Sequence, residues 1–137
     1  MKTNEWFKIC KPNPTPEQAC IQIGVHLEEV AEMLYALGEY YEWRIMADLA
    51  DEYKERHQHL VDGIERINRV ELLDSIIDQN VTGKGICHTL GLNFDGALEE
   101  VERSNASKLE DGKPVFDENG KIAKGKNYVK PNLKPFV

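Results

Sequence analysis

Two groups of carboxylates in this chain have the spacing to act together: Glu28, Glu29 and Glu32, and then Glu71, Asp74 and Asp78. With Glu28 set at zero on a helix, Glu32 falls at about 40° and Glu29 at about 100°. The apolar series Ile23, Leu27, Val30, Leu34 and Leu37 spans about 180–260°, so the acids face away from it. An ordinary helix wets such a face. Here, however, Ile21, Val25 and Ala36 bracket the acids, at about 20°, 60° and 80°. That pattern suits a second buried contact, with a facing helix or a dimer partner. In the other group, with Glu71 at zero, Asp74 lies at about 300° and Asp78 at about 340°. Val70, Leu72, Leu73, Ile76 and Ile77 occupy an arc of about 100–260°. Like charges at three- and four-residue spacing repel, and no basic residue stands among them. Either water screens the stripe or a cation neutralises it. Two such stripes facing each other offer hard oxygen donors, which suit Mg²⁺, with Mn²⁺ as the alternative. A di-iron bundle would add Glu-x-x-His pairs. The residues three before His26, His57, His59 and His88 are Ile23, Lys54, Arg56 and Gly85, so iron is disfavoured.

The elements that must carry these acids are helices. Thr15-Pro16-Glu17-Gln18 reads as a helix start, with Thr15 as cap, proline in the first turn and Gln18 three residues after the cap. Gly38 is its stop or bend. A second helical pattern runs through Ile45, Met46, Leu49, Tyr53, Leu60, Ile64 and Ile67. A third carries Val70, Leu73, Ile76 and Ile77 and runs on from the second with little break. Thr82-Gly83-Lys84-Gly85 could interrupt the third helix, although its apolar flanks allow it to continue. Leu90-Gly91-Leu92-Asn93-Phe94-Asp95 reads as a loop, with Asp95 capping a fourth helix through Ala97, Leu98 and Val101. Residues 1–14, with Trp6, Phe7, Pro12 and Pro14, read as an irregular lead-in. Beyond Asn105 the helical period disappears, and Val115-Phe116 and Ile122-Ala123 flank an Asn119-Gly120 turn as a short hairpin. The expectation is one all-α domain over 1–137, a helical core at about 15–105 followed by a basic hairpin and tail at about 106–137.

The chain of 137 residues suits one core. Its net charge of −7 is uneven. From Ser104 onward seven Lys stand against four Asp or Glu, which leaves −10 on residues 1–103. A body of that charge repels duplex nucleic acid, yet a small polyphosphate can bind if divalent cations bridge it to the acids. No apolar run approaches the roughly 18 residues of a membrane span. The N-terminus leads into no signal-like stretch. Cys10, Cys20 and Cys87 form no C-x-x-C pair, which fits reduced thiols in a cytoplasm, bacterial or of a phage-infected cell.

Glu28-Glu29-Val30-Ala31-Glu32 matches E-E-x-x-E, and Glu71-Leu72-Leu73-Asp74 matches E-x-x-D. With Ser104-Asn105-Ala106-Ser107-Lys108 following a Leu90-Gly91-Leu92 loop, the order resembles the MazG-type all-α nucleoside triphosphate pyrophosphohydrolases. The tail, from Asp111-Gly112-Lys113-Pro114 to Lys124-Gly125, is similar to the phage and bacterial branch that is phosphoribosyl-ATP pyrophosphohydrolase-like. The resemblance covers roughly residues 17–134. It implies a helical bundle of that type, a homodimer or homotetramer, and hydrolysis between the α and β phosphorus atoms of a nucleotide. Carried over by position, it makes Glu29, Glu32, Glu71 and Asp74 magnesium ligands, with Asp78 behind them. Glu28 sits behind the ligands, and Glu28 or Glu32 accepts the proton of the attacking water. Asn105, Lys108 and Lys124 meet the phosphates. The interval from Glu32 to Glu71 is longer than in that family, so residues 39–66 read as a lengthened helix or an added arm. A different class of reading is a non-catalytic helical binding or assembly module whose acidic faces meet a basic partner.

Overall fold

The computed structural model describes residues 1–118 and 120–137, and among them the chain is helical. The α-helices are α1 (Thr3–Cys10), α2 (Pro16–Leu37), α3 (Tyr40–Lys54), α4 (Gln58–Gly63), α5 (Arg69–Thr89) and α6 (Phe94–Ala106). Short 3-10 turns follow at Ile64–Arg66 and Lys134–Phe136. The chain packs as two bodies, one of residues 13–72 and the other of residues 1–12 with 73–137. Among the described residues no helix is long and apolar enough to cross a membrane.

In the body of residues 13–72, α2 starts and stops as its local chemistry dictates. The Thr15 hydroxyl accepts the Gln18 N–H at 3.2 Å, and the Gln18 side chain accepts the Thr15 N–H at 3.0 Å. Gly38 ends the helix in the left-handed region at φ 86°, which glycine enters without a Cβ penalty. The buried residues of α2 are small: Cys20, Gly24 and Ala31. They lie about 40–80° around the helix from Glu28, and Gly24 stands against Ala50, the buried residue of α3. The larger stripe expected to form the core is only half-buried at Ile23, Leu27, Val30 and Leu34, and Leu37 is exposed. Close approach of the two backbones explains the difference. A Cβ on Gly24 would stand 2.7 Å from the Ala50 carbonyl oxygen and 2.8 Å from the Lys54 nitrogen. At the turn between α2 and α3, Tyr35 meets Tyr40 and Trp43 edge-on, with ring centroids 5.1 and 5.2 Å apart.

The second expected helix is broken. Arg56 adopts a left-handed φ of 58°, and the chain restarts as α4 with Val61 buried. In place of one lengthened helix, residues 39–66 hold two helices and a 3-10 turn. Asn68 then caps α5 by accepting the Glu71 N–H at 3.2 Å. That helix passes through Thr82-Gly83-Lys84-Gly85 without interruption.

In the other body the expected irregular lead-in is α1. Eight residues are too few to hold a helix alone. Burial of Trp6 and Cys10 against Leu109, with Phe7 and Ile122 packed around them, holds it. Its first turn is bound by Glu102 of α6, which accepts the Thr3 N–H at 2.8 Å, the Thr3 hydroxyl at 3.0 Å and Lys2 Nζ at 3.3 Å. These bonds hold the Glu102 carboxyl below the usual carboxylate range, the Thr3 N–H contributing most. The cap of α6 is Asn93, which accepts the Gly96 N–H at 3.0 Å, whereas Asp95 lies in the first turn. Asn93 wins because its side chain is three residues before that orphan N–H.

From residue 107 onward the described residues run back along α6. Ser104 donates to the Val129 carbonyl at 2.9 Å, Ser107 accepts the Val129 N–H at 2.9 Å, and Glu100 accepts the Asn132 N–H at 2.8 Å. Isolated antiparallel bridges join Glu110 to Lys113 and Phe116 to Ile122. The Asn119-Gly120 turn read from the sequence involves Asn119, which lies outside the described residues.

Candidate metal and phosphate-binding residues

The acids of α2 separate by environment. Glu28, half-buried beside the small-residue face, accepts Lys54 Nζ at 2.8 Å, and the same ammonium reaches Asp51 at 3.1 Å. The two carboxylates outweigh burial and push the Lys54 ammonium up from its ordinary range, although burial is the largest single influence. Glu28 is thus neutralised by a lysine on α3. Glu29 and Glu32 are exposed. On α5 Glu71 stands in the first turn, where the helix dipole favours a carboxylate, and Asp74 and Asp78 follow on the same exposed stripe. Among the described residues Glu32, Glu71, Asp74 and Asp78 make no ion pair. Their oxygens are the right chemistry for a hard cation. Among the described residues no three His, Cys, Asp or Glu come together as a group able to hold a metal ion.

The residues expected to meet phosphate lie in the body of residues 1–12 and 73–137, where Asn105 and Lys108 come together around Trp6. The Trp6 indole donates to the Asn105 carbonyl at 3.1 Å, and Lys108 Nζ lies 5.7 Å from the centroid of the same ring. The tail lies close against this place. A Cβ on Gly125 would stand 2.6 Å from the Lys108 carbonyl oxygen, and Glu110 accepts the Lys126 N–H at 2.7 Å. Neighbouring Lys124 sits over the Tyr128 ring at 5.1 Å. Asn105 is not the end of α6, which runs through Ala106 and is capped by Ser107. Beside Lys11 and Lys108, the buried Cys10 thiol is still pushed up by burial, so it is a poor nucleophile.

Charge follows the two bodies. Residues 13–72 hold thirteen Asp or Glu against five Lys or Arg, a net −8, and the remainder hold eleven against twelve, a net +1. A cation belongs with the first by long-range attraction, and a phosphate is repelled least by the second. The second also contains a cleft of about 320 Å³ lined by Cys87, Leu92, Phe94, Leu98, Val101 and Phe136. Its walls are almost wholly apolar, which gives a triphosphate nothing to bond.

Sequence reading passed over Lys54 and Glu102. The signal for Lys54 was present as a lone lysine in the acidic run from Asp48 to Glu55. Nothing local marks Glu102, because its partners lie about a hundred residues earlier in the chain. No protein-family model, curated protein or solved structure matches the chain.

Proposed function

We propose that this chain is a nucleotide pyrophosphohydrolase, acting on the magnesium complex of a (deoxy)nucleoside triphosphate or a phosphoribosyl-ATP-like molecule. One observation carries the reading. Glu29 and Glu32 of the E-E-x-x-E motif and Glu71 and Asp74 of the E-x-x-D motif are exposed, and Glu32, Glu71 and Asp74 make no ion pair among the described residues. Acids left open in this way suit a cation that arrives with the phosphates, as part of the substrate. The order of motifs, resembling the MazG-type enzymes, supports the same class.

In the proposed reaction water adds to the α-phosphorus, the bond from that phosphorus to the bridging oxygen breaks, and pyrophosphate leaves with the electron pair. Of the two candidate bases Glu32 is the better one, because Glu28 already shares its charge with Lys54 at 2.8 Å. Glu29, Glu71 and Asp74 face the cation of the substrate, and Asp78 adds charge behind them. The Asn105 amide donates a hydrogen bond to the phosphates, and Lys108 and Lys124 neutralise them through their ammonium groups.

The experiment is release of pyrophosphate, screened over all (d)NTPs and phosphoribosyl-ATP with Mg²⁺ or Mn²⁺. Glu32→Gln and Asp74→Asn should each abolish turnover and leave the folded state intact, since removing one charge from a like-charged stripe relieves repulsion. Near-normal Mg²⁺-dependent activity in both variants would overturn the assignment. The Glu28–Lys54 pair favours a second reading, a non-catalytic assembly module in which lysines neutralise the acidic face. Absence of pyrophosphate release from every substrate would leave that one standing.

A further inference from the structure

The apolar cleft beside α6 is used neither by the acids nor by the phosphate-binding lysines. All of its walls belong to the body of residues 1–12 and 73–137. Cys87 comes from α5, Leu92 from the turn after it, Phe94, Leu98 and Val101 from α6, and Phe136 from the last 3-10 turn. The shape of the cleft therefore depends on that body alone. Two contacts fix its Phe136 wall. The Asn93 N–H donates to the Phe136 carbonyl at 2.9 Å. The ring lies against bare backbone at Gly96, where an added Cβ would stand 2.8 Å from two of its carbons. Held in this way, the cleft is formed before any ligand arrives, as small-molecule sites usually are.

Its volume of about 320 Å³ is at the small end for a ligand pocket. At roughly 30 Å³ for each water-sized group, it has room for about ten methylene groups. Almost no polar atom faces the interior, so a sugar, a base edge or a phosphate would enter with its hydrogen bonds unmade. A hydrocarbon chain loses nothing there and leaves water. Charge beside the cleft selects the head group. Lys84 Nζ stands 5.1 Å from the centroid of the Phe94 ring and is half exposed. Its partner is Asp95 at 3.3 Å, and Asp95 is so exposed that the pair is weak enough to exchange. The body carries a net +1, so its field does not oppose a single anionic group. We propose that the cleft binds a medium-chain alkanoate, a free fatty acid of about ten carbons. Its chain lies among Leu98, Val101 and Phe136, and its carboxylate takes the place of Asp95 on Lys84. This inference does not rest on the pyrophosphohydrolase reading, and its tests need no turnover.

Octanoate, nonanoate and decanoate, titrated into the full chain by calorimetry below their micellar concentrations, should each bind one molecule per chain. Affinity should rise about fourfold with each added methylene, and the gain should end once the chain outgrows the cleft. Cys87 gives a second readout. Cys10 and Cys20 are buried, so Cys87 is the thiol that reacts first with a soluble reagent, and decanoate should slow that reaction in proportion to its occupancy. Lys84→Gln should weaken decanoate about tenfold or more and leave decanol unchanged. Asp95→Asn should tighten decanoate, because the competing carboxylate is gone. Leu98→Trp should fill the cleft and abolish binding. If that variant does not fold, the exposed Lys84 and Asp95 variants still decide. No binding of decanoate at millimolar concentration overturns the inference, and so does equal affinity for decanoate in the parent and Lys84→Gln. Unchanged Cys87 labelling at saturating decanoate would put the ligand elsewhere and overturn it as well.

Discussion

Replacing Gly24 by alanine sets two physical effects of opposite sign against each other. Helix propensity alone makes the change favourable, by about 0.5–1 kcal/mol for a glycine in a helix interior. Packing opposes it. The new Cβ would stand 2.7 Å from the Ala50 carbonyl oxygen, 2.7 Å from Lys54 Cγ and 2.8 Å from the Lys54 nitrogen. The side-chain carbon can swing away, but two of the three contacts are backbone and yield only if α2 and α3 move apart. Such overpacking costs about 1–3 kcal/mol. The displaced Lys54 side chain also loses its 2.8 Å bond to Glu28. The net expectation is a loss of about 1–2 kcal/mol, a fall of roughly 4–8 °C in Tm. Gly85 is the control. It sits in the interior of α5 with open space around a built Cβ, and its helical position lies outside the apolar arc. Gly85→Ala should therefore raise stability by about 0.5–1 kcal/mol. Thermal melts followed by far-ultraviolet circular dichroism, with urea titrations at one temperature, measure both. A Gly24→Ala chain as stable as the parent, or more so, would refute the tight α2–α3 contact.

Three further outcomes follow from particular contacts. Glu100 accepts two Arg103 N–H bonds at 2.7 Å and the Asn132 N–H, which hold its carboxyl down at about 2. A depressed carboxyl stabilises the fold above its unfolded value and loses that contribution as pH falls toward 2. Proteolysis of residues 126–137 should therefore rise as pH is lowered through that range, and Glu100→Gln should remove the pH dependence; an unchanged profile in the variant refutes it. Glu102→Ala should release α1, seen as faster amide exchange over residues 3–10 and a red-shifted Trp6 emission, and protection equal to the parent would count against that role. On the proposed function, Lys108→Ala removes one charge-assisted phosphate contact worth about 1.5–3 kcal/mol, so KM should rise roughly 10- to 150-fold with kcat little changed. If KM holds and only Tm falls, Lys108 merely covers Trp6.

Some of this protein was settled by residues close together in the chain. Thr15 with Gln18 starts α2 and Gly38 stops it, because a cap and a left-handed glycine act within one turn. The three-residue spacing of Glu71 and Asp74 places both on one stripe of α5 wherever that helix lies. Other features were decided by residues distant in the chain. Periodicity marks Ile23, Leu27, Val30 and Leu34 as the inner face of α2, yet the buried residues are Cys20, Gly24 and Ala31, with α3 close against Gly24. Hydrophobicity says which residues leave water, whereas the distance between two backbones depends on the smallest side chains on both helices. Glu28 and Lys54 are 26 positions apart, so only the pairing of α2 with α3 could turn a candidate base into half of an ion pair. In the same way α1 is too short to persist by propensity, and exists because Glu102 and Leu109, far along the chain, satisfy its first N–H groups and bury its tryptophan.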